Sequence, residues 1–173
     1  MAEQPLGMPD RWARLWAPHR MEYLKGENRP LSENGVECPF CRIPTLSDEE
    51  GLVVARGESA FVVMNLYPYN AGHLLICTNR HVADFTDLNR AERDEISDLT
   101  AHAMVTLRKV SAPAGFNLGM NQGAISGAGV AEHIHQHVVP RWSGDANFMP
   151  LIGQTKVMPA LLSQTRDELA AAW

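Results

Sequence analysis

The chain has 173 residues, 45% of them apolar and 20% charged, which fits one globular domain with a real core and excludes a disordered chain. Fifteen Lys and Arg against twenty Asp and Glu leave a net charge of −5, so no broad basic surface for nucleic acid is expected; a phosphate-handling site has to be built locally from His, backbone N–H groups and helix ends. No apolar run nears the ~20 residues of a membrane span, no secretory pattern opens the chain, and three cysteines make no disulfide framework, so a reduced, cytoplasmic protein without membrane partners is expected.

Residues 1–37 read as an N-terminal extension packing on the domain, with Trp12, Leu15, Trp16 and Tyr23 near helical spacing and Pro18 breaking a short helix over 10–24. Residues 25–50, around Cys38-Pro-Phe-Cys41, are rich in Pro, Gly, Ser and Asn and read mostly as loop. Three β-rich runs follow at Leu52–Arg56, Ala60–Asn65 and His73–Thr78, with a hairpin turn at Gly57–Ser59 and turn chemistry over Tyr67–Gly72. Ile96, Leu99, Ala103, Leu107 and Val110 recur at helical spacing and predict the main helix over 90–110, capped by Asp87 or Asn89 and ended by Pro113 and Gly115. Strands are predicted at Phe116–Asn121 and His133–Val139, with a flexible QGAISGAG connection between them, and a C-terminal helix over 159–172. Strands, one long helix, then strands again make an α+β domain over 38–173 with a largely antiparallel sheet.

The last predicted strand carries the strongest chemical pattern, His133-Ile-His-Gln-His-Val-Val-Pro140. Alternation puts His133, His135 and His137 on one face, each about 6.6 Å from the next at about 3.3 Å per residue. That is too far for three rings to attack one atom and suits three separate jobs. Ile134 and Val138 are left for the core. Cys38-Pro-Phe-Cys41, taken alone, reads as a redox pair, a zinc half-site or neither. Cys77 reads as a buried core thiol.

HIHQHVVPR resembles the histidine-triad signature of the HIT superfamily, His-x-His-x-His followed by two apolar residues. The resemblance covers residues 38–142 and includes Asn65, Pro68, Gly72 and His73 of an Asn-x-x-Pro-x-x-x-Gly-His motif, and Asn121 with Gly123. It implies an antiparallel meander sheet with one long helix and a C-terminal helix, and a homodimer. It also implies nucleotidyl transfer at an α-phosphate: His135 as nucleophile, forming a nucleotidyl-histidine, and His137 bonding the phosphoryl oxygens or assisting the leaving group. One branch pairs an N-terminal C-x-x-C with a later His and with the first triad His. The matching residues, Cys38, Cys41, His81 and His133, would hold a structural Zn²⁺ with no open position. Mg²⁺ is expected to accompany the nucleotide.

For the nucleotide, the resemblance implies ribose contacts at Asn65, which also reads as a turn-forming Asn, and a phosphate-side role for Asn121. Asn117 shares the expected strand face of Asn121 without matching the family. Gly123, Gly127 and Gly129 let backbone N–H groups approach phosphate, or make a plain flexible loop. Many HIT hydrolases carry Gln where this chain has Gly129. The segments LSDEEGLVVARG, NLYPYNAGHL, GFNLGMNQG and AEHIHQHVVPRWSGDANF are similar to the bacterial diadenosine tetraphosphate (Ap4A) phosphorylase branch, which uses inorganic phosphate to give ADP and ATP. Within it Trp142 would stack on a base; otherwise it reads as a core or interface residue.

Overall fold

The computed structural model describes residues 38–145 and 159–173. The extension over 1–37, its short helix at 10–24, and Ala146, Asn147 and Phe148 lie outside the described residues. Five strands form one antiparallel sheet: β1 Val53–Arg56, β2 Ala60–Met64, β3 Leu74–Thr78, β4 Gly115–Met120 and β5 His135–Arg141, in the order β1-β2-β3-β5-β4. The first three strands run as a meander. The chain then crosses through a helix to the far edge, and β5 returns to fill the place between β4 and β3.

Cys38-Pro-Phe-Cys41, expected as loop, starts a helical turn, α1 Pro39–Arg42. Pro39 sits at the first helical position, where its fixed φ is favourable, and the Cys38 carbonyl accepts from the N–H groups of Cys41 and Arg42 at 3.0 and 3.1 Å. The main helix, α2, spans Arg90–Ser111. Of the two expected caps, Asn89 serves: its side chain accepts from Glu92 N–H while the Glu92 carboxylate accepts from Asn89 N–H, a reciprocal capping box. The helix ends at Ala112 in the left-handed region, φ 45°, just before Pro113. Gly115 opens β4. The last helix, α3, is Leu162–Ala172.

The two sheet faces do different work. Val62, Met64, Leu74, Ile76 and Val138 pack under α2 and α3 with Ile96, Ala103, Leu107 and Leu169. The opposite face carries Phe61, Val63, Leu75 and Cys77, packed with Phe40 of α1. His135 pairs directly with Cys77 and His137 with Leu75, so both histidines belong to that second face, beside Phe40. The ladder begins only at His135, two residues later than the alternation predicted, and His133 stands outside it. The Ile134 N–H bonds the Val82 carbonyl at 2.7 Å and the His133 ring reaches the Thr78 carbonyl, which turns the backbone out of register there.

Candidate active site

Burial and backbone geometry fix the protonation of His135. Its ring is 5% exposed. Nδ1 lies 2.8 Å from the His133 carbonyl oxygen, an acceptor only, so Nδ1 carries the proton and donates it, and Nε2 keeps its lone pair. Burial holds the imidazole below its ordinary pKa, with the His133 carbonyl pulling weakly the other way, so the ring is neutral at pH 7. Phe40 packs against it, ring centroids 4.9 Å apart.

His137 is set in the opposite tautomer by residues of the β2–β3 turn. The Tyr69 N–H donates to His73 Nδ1 at 3.0 Å, and Asn65 Nδ2 approaches the same nitrogen at 3.2 Å. Both are donors, so His73 Nδ1 is unprotonated and His73 Nε2–H donates onward to His137 Nδ1 at 3.0 Å. The proton of His137 therefore sits on Nε2. His135 and His137 lie 5.0 Å apart, centroid to centroid, one presenting a lone pair on Nε2 and the other an N–H. That pair can attack an electrophilic centre and supply a proton or hydrogen bond to what leaves it.

Asn65 meets His73 and accepts from Tyr67 N–H at 3.0 Å, which is the turn-forming reading of this residue. Asn121 follows the last ladder pair, Met120 with Gln136; the same register carried one residue further sets it beside His135. Gly123 and Gly127 bracket a single helical turn, Ala124–Ser126, and have φ of 80° and 86°, which L side chains disfavour. Gly129 is half-buried on the same connection. Trp142 is not brought to the histidines: its indole N–H donates to the Ser111 carbonyl at the end of α2, on the helix side of the sheet. Asn117 is likewise engaged elsewhere, accepting from Arg141 at 2.7 Å. His73, fully buried, and Tyr69 were not singled out as site residues; the available signal was the His of the Gly-His motif, which alternation alone assigns to the core.

A second cluster adjoins the first. One donor atom from each of Cys38, Cys41, His81 and His133 lies within 4.8 Å of the others. Cys38 Sγ is 3.4 Å and Cys41 Sγ 3.5 Å from His133 Nδ1, and Cys41 Sγ is 3.2 Å from His81 Nδ1. Tetrahedral edges of about 3.3–3.8 Å follow from zinc bonds of about 2.3 Å to sulfur and 2.0 Å to nitrogen. His133 Nε2–H donates to the Thr78 carbonyl at 2.8 Å, which leaves Nδ1 bare toward the thiols. Burial lowers the pKa of His133 to about 4, so it is a neutral donor. Two soft sulfurs, two imidazoles and a carbonyl behind one of them fit a metal ion. Cys77 is fully buried beside His135, and burial pushes its thiol pKa up.

The HIT domain family matches residues 47–144. A Mycobacterium tuberculosis protein named AP-4-A phosphorylase is 48% identical over 174 residues, covering 99% of this chain and 89% of its own. The Schizosaccharomyces pombe bis(5'-nucleosyl)-tetraphosphatase [asymmetrical] is 31% identical over 100 residues, 58% of this chain and 54% of its own. Among solved structures, a Zn-bound histidine triad family protein from Mycobacterium smegmatis superposes with a TM-score of 0.62 at 23% identity, covering 79% of this chain and 92% of that one. A histidine triad nucleotide-binding protein from Sulfolobus tokodaii gives a TM-score of 0.64 at 21% identity, over 78% and 91%. With His135 and His137 side by side on one face of this sheet and a family match over more than half its length, the chain belongs to the HIT domain family.

Proposed function

We propose that the protein is an Ap4A phosphorylase working through an adenylyl group carried on His135. The observation that carries the chemistry is the pair of opposite tautomers on His135 and His137; near full-length similarity to an AP-4-A phosphorylase supports the substrate and acceptor. His135 Nε2 attacks the α-phosphorus of Ap4A, a P–N bond forms, and the bond from that phosphorus to the bridging oxygen breaks. ATP leaves with a proton from His137 Nε2. A phosphate oxygen then attacks the same phosphorus, the P–N bond breaks and ADP departs, while His137 recovers a proton from the incoming phosphate. Covalent transfer splits one displacement into two easier ones. Asn121 and the backbone amides around Gly123, Gly127 and Gly129 are assigned to the phosphoryl oxygens, and Asn65 keeps the ribose assignment from the edge of the turn. Trp142 would have to leave Ser111 to stack on a base. Mg²⁺ travels with the nucleotide.

Zn²⁺ on Cys38, Cys41, His81 and His133 would be structural, its four protein ligands tying α1 to the β3 end and to the start of β5. A homodimer is supported by β4, an edge strand whose Leu118 is 48% exposed. A cytoplasmic location remains our reading; among the described residues no helix is long and apolar enough to cross a membrane. Likeness to the yeast tetraphosphatase favours a second reading, hydrolysis releasing AMP. Incubation with Ap4A, with and without millimolar phosphate, separates them: ADP with phosphate supports the phosphorylase, and AMP in both arms assigns a hydrolase. A covalent AMP adduct seen by intact mass, and absent from His135→Ala, tests the shared step.

A further inference from the structure

Ring contacts run in a file across the second face of the sheet: Phe40 with His135 at 4.9 Å, His135 with His137 at 5.0 Å, and His137 with Tyr69 at 5.7 Å. Phe40 and Tyr69 differ in exposure. Phe40 is 8% exposed and forms floor beneath the nucleophile, whereas Tyr69 is 38% exposed and lies nearly parallel to His137, at 13°. Tyr69 thus adjoins the histidine that carries the proton for the leaving group. We propose that Tyr69 is the stacking platform for the base of the leaving nucleotide, the ATP half of Ap4A, and so selects dinucleoside substrates over substrates whose leaving group has no base. The proposal rests on the phosphorylase reading and names a subsite within it.

The turn that carries Tyr69 is held far more firmly than an exposed turn needs. Its N–H is fixed on His73, and Asn65 bonds Tyr67 N–H at the near end. At the far end Asn70 Nδ2 donates to the Pro140 carbonyl at 3.0 Å and to Asp145 at 2.7 Å. Asp145 is itself gripped by Arg141 at 2.6 and 2.9 Å, and that guanidinium holds its carboxyl well below the usual carboxylate range. The 65–70 turn and the Arg141–Asp145 segment therefore meet physically and brace one another. Such bracing presents Tyr69 as a preorganised aromatic surface with little conformational freedom to lose on binding, and every purine offers a π-face to it.

The test compares Ap4A with adenosine 5′-phosphorimidazolide, each with phosphate. Both place the same adenylyl group on His135 and yield ADP; only Ap4A has a base on its leaving group. Tyr69→Leu, which keeps apolar volume without the ring, is expected to lower kcat/KM for Ap4A about tenfold more than for the phosphorimidazolide, within what one base–aromatic stack contributes. Tyr69→Phe is expected to match wild type on both. An equal fall on the two substrates, or Tyr69→Phe behaving as Tyr69→Leu, overturns the proposal and makes Tyr69 a support for His137 or a hydroxyl donor. If Tyr69→Leu does not fold, inhibition by ATP in Tyr69→Trp decides: tighter inhibition supports the stack, and weaker or unchanged inhibition overturns it. Wild-type turnover of the phosphorimidazolide without turnover of Ap4A would instead fail the phosphorylase reading.

Discussion

His73→Phe removes one ring nitrogen pair while leaving a ring of similar size in a fully buried position. Cavity formation is therefore small, and the loss is in hydrogen bonds. The part-buried backbone N–H of Tyr69 loses its acceptor, which costs about 1–3 kcal/mol, toward the lower end where water reaches the turn. Asn65, half-buried, can turn its amide toward water and adds little. A total near 2 kcal/mol corresponds to a fall in Tm of about 4–8 °C for a chain of this size. The larger effect falls on rate. His137 Nδ1 loses the proton donor that fixes its tautomer, and a net bond of about 1.4 kcal/mol is tenfold in population. Loss of ring orientation brings the expected fall in kcat to about 10- to 100-fold, within the range of a misplaced general acid. The assay is initial-rate formation of ADP from Ap4A at saturating phosphate, beside thermal melting. A kcat within twofold of wild type in a folded variant would refute the tautomer argument.

His135→Ala should keep its circular dichroism and lose turnover by several orders of magnitude; retention of a tenth of the wild-type rate would disprove the covalent route. Elemental analysis should find about one zinc per chain, with Cys38→Ser lowering both metal content and Tm, because an ion bound only by the native state adds to its stability; under ~0.2 zinc per chain in protein never exposed to chelator would remove the metal assignment. Gly129→Gln should shift the ADP:AMP ratio at millimolar phosphate toward AMP, by narrowing the anion pocket and offering a hydrogen bond to water; an unchanged ratio would show that the acceptor is chosen elsewhere.

What the sequence disclosed follows the range of the interaction that decides it. The α2 boundaries came within a residue, because Ile96, Ala103 and Leu107 repeat at helical spacing and Asn89 with Glu92 three residues on forms a local cap. The bond between His73 and His137 spans 64 residues and that between Asn70 and Asp145 spans 75, and both depend on how β3 and β5 register. No local pattern encodes that register. For the same reason His133 left the strand that alternation gave it: a carbonyl 55 residues away holds its ring. The four metal donors were drawn together through family likeness, their contacts with His133 crossing 92 and 95 residues. Trp142 bonds Ser111, which terminates a helix on the other side of the sheet, and no local pattern encodes that contact.

The position of β5 has a dynamic consequence. With β3 on one side and β4 on the other, its amides are hydrogen-bonded into the middle of the sheet. Such amides exchange with solvent only through the rarest openings of a fold, whereas surface connections open at little cost. His135 and His137 therefore ride on a strand paired on both sides, and in the proposed mechanism they would keep their spacing. In the proposed mechanism, accommodation of a long, flexible polyphosphate would fall to the glycine-bearing connection between β4 and β5 and to the side chains of the β2–β3 turn. Deuterium uptake should reflect that division, slow over 136–139 and fast over 122–130, with nucleotide slowing the second segment and leaving the first unchanged.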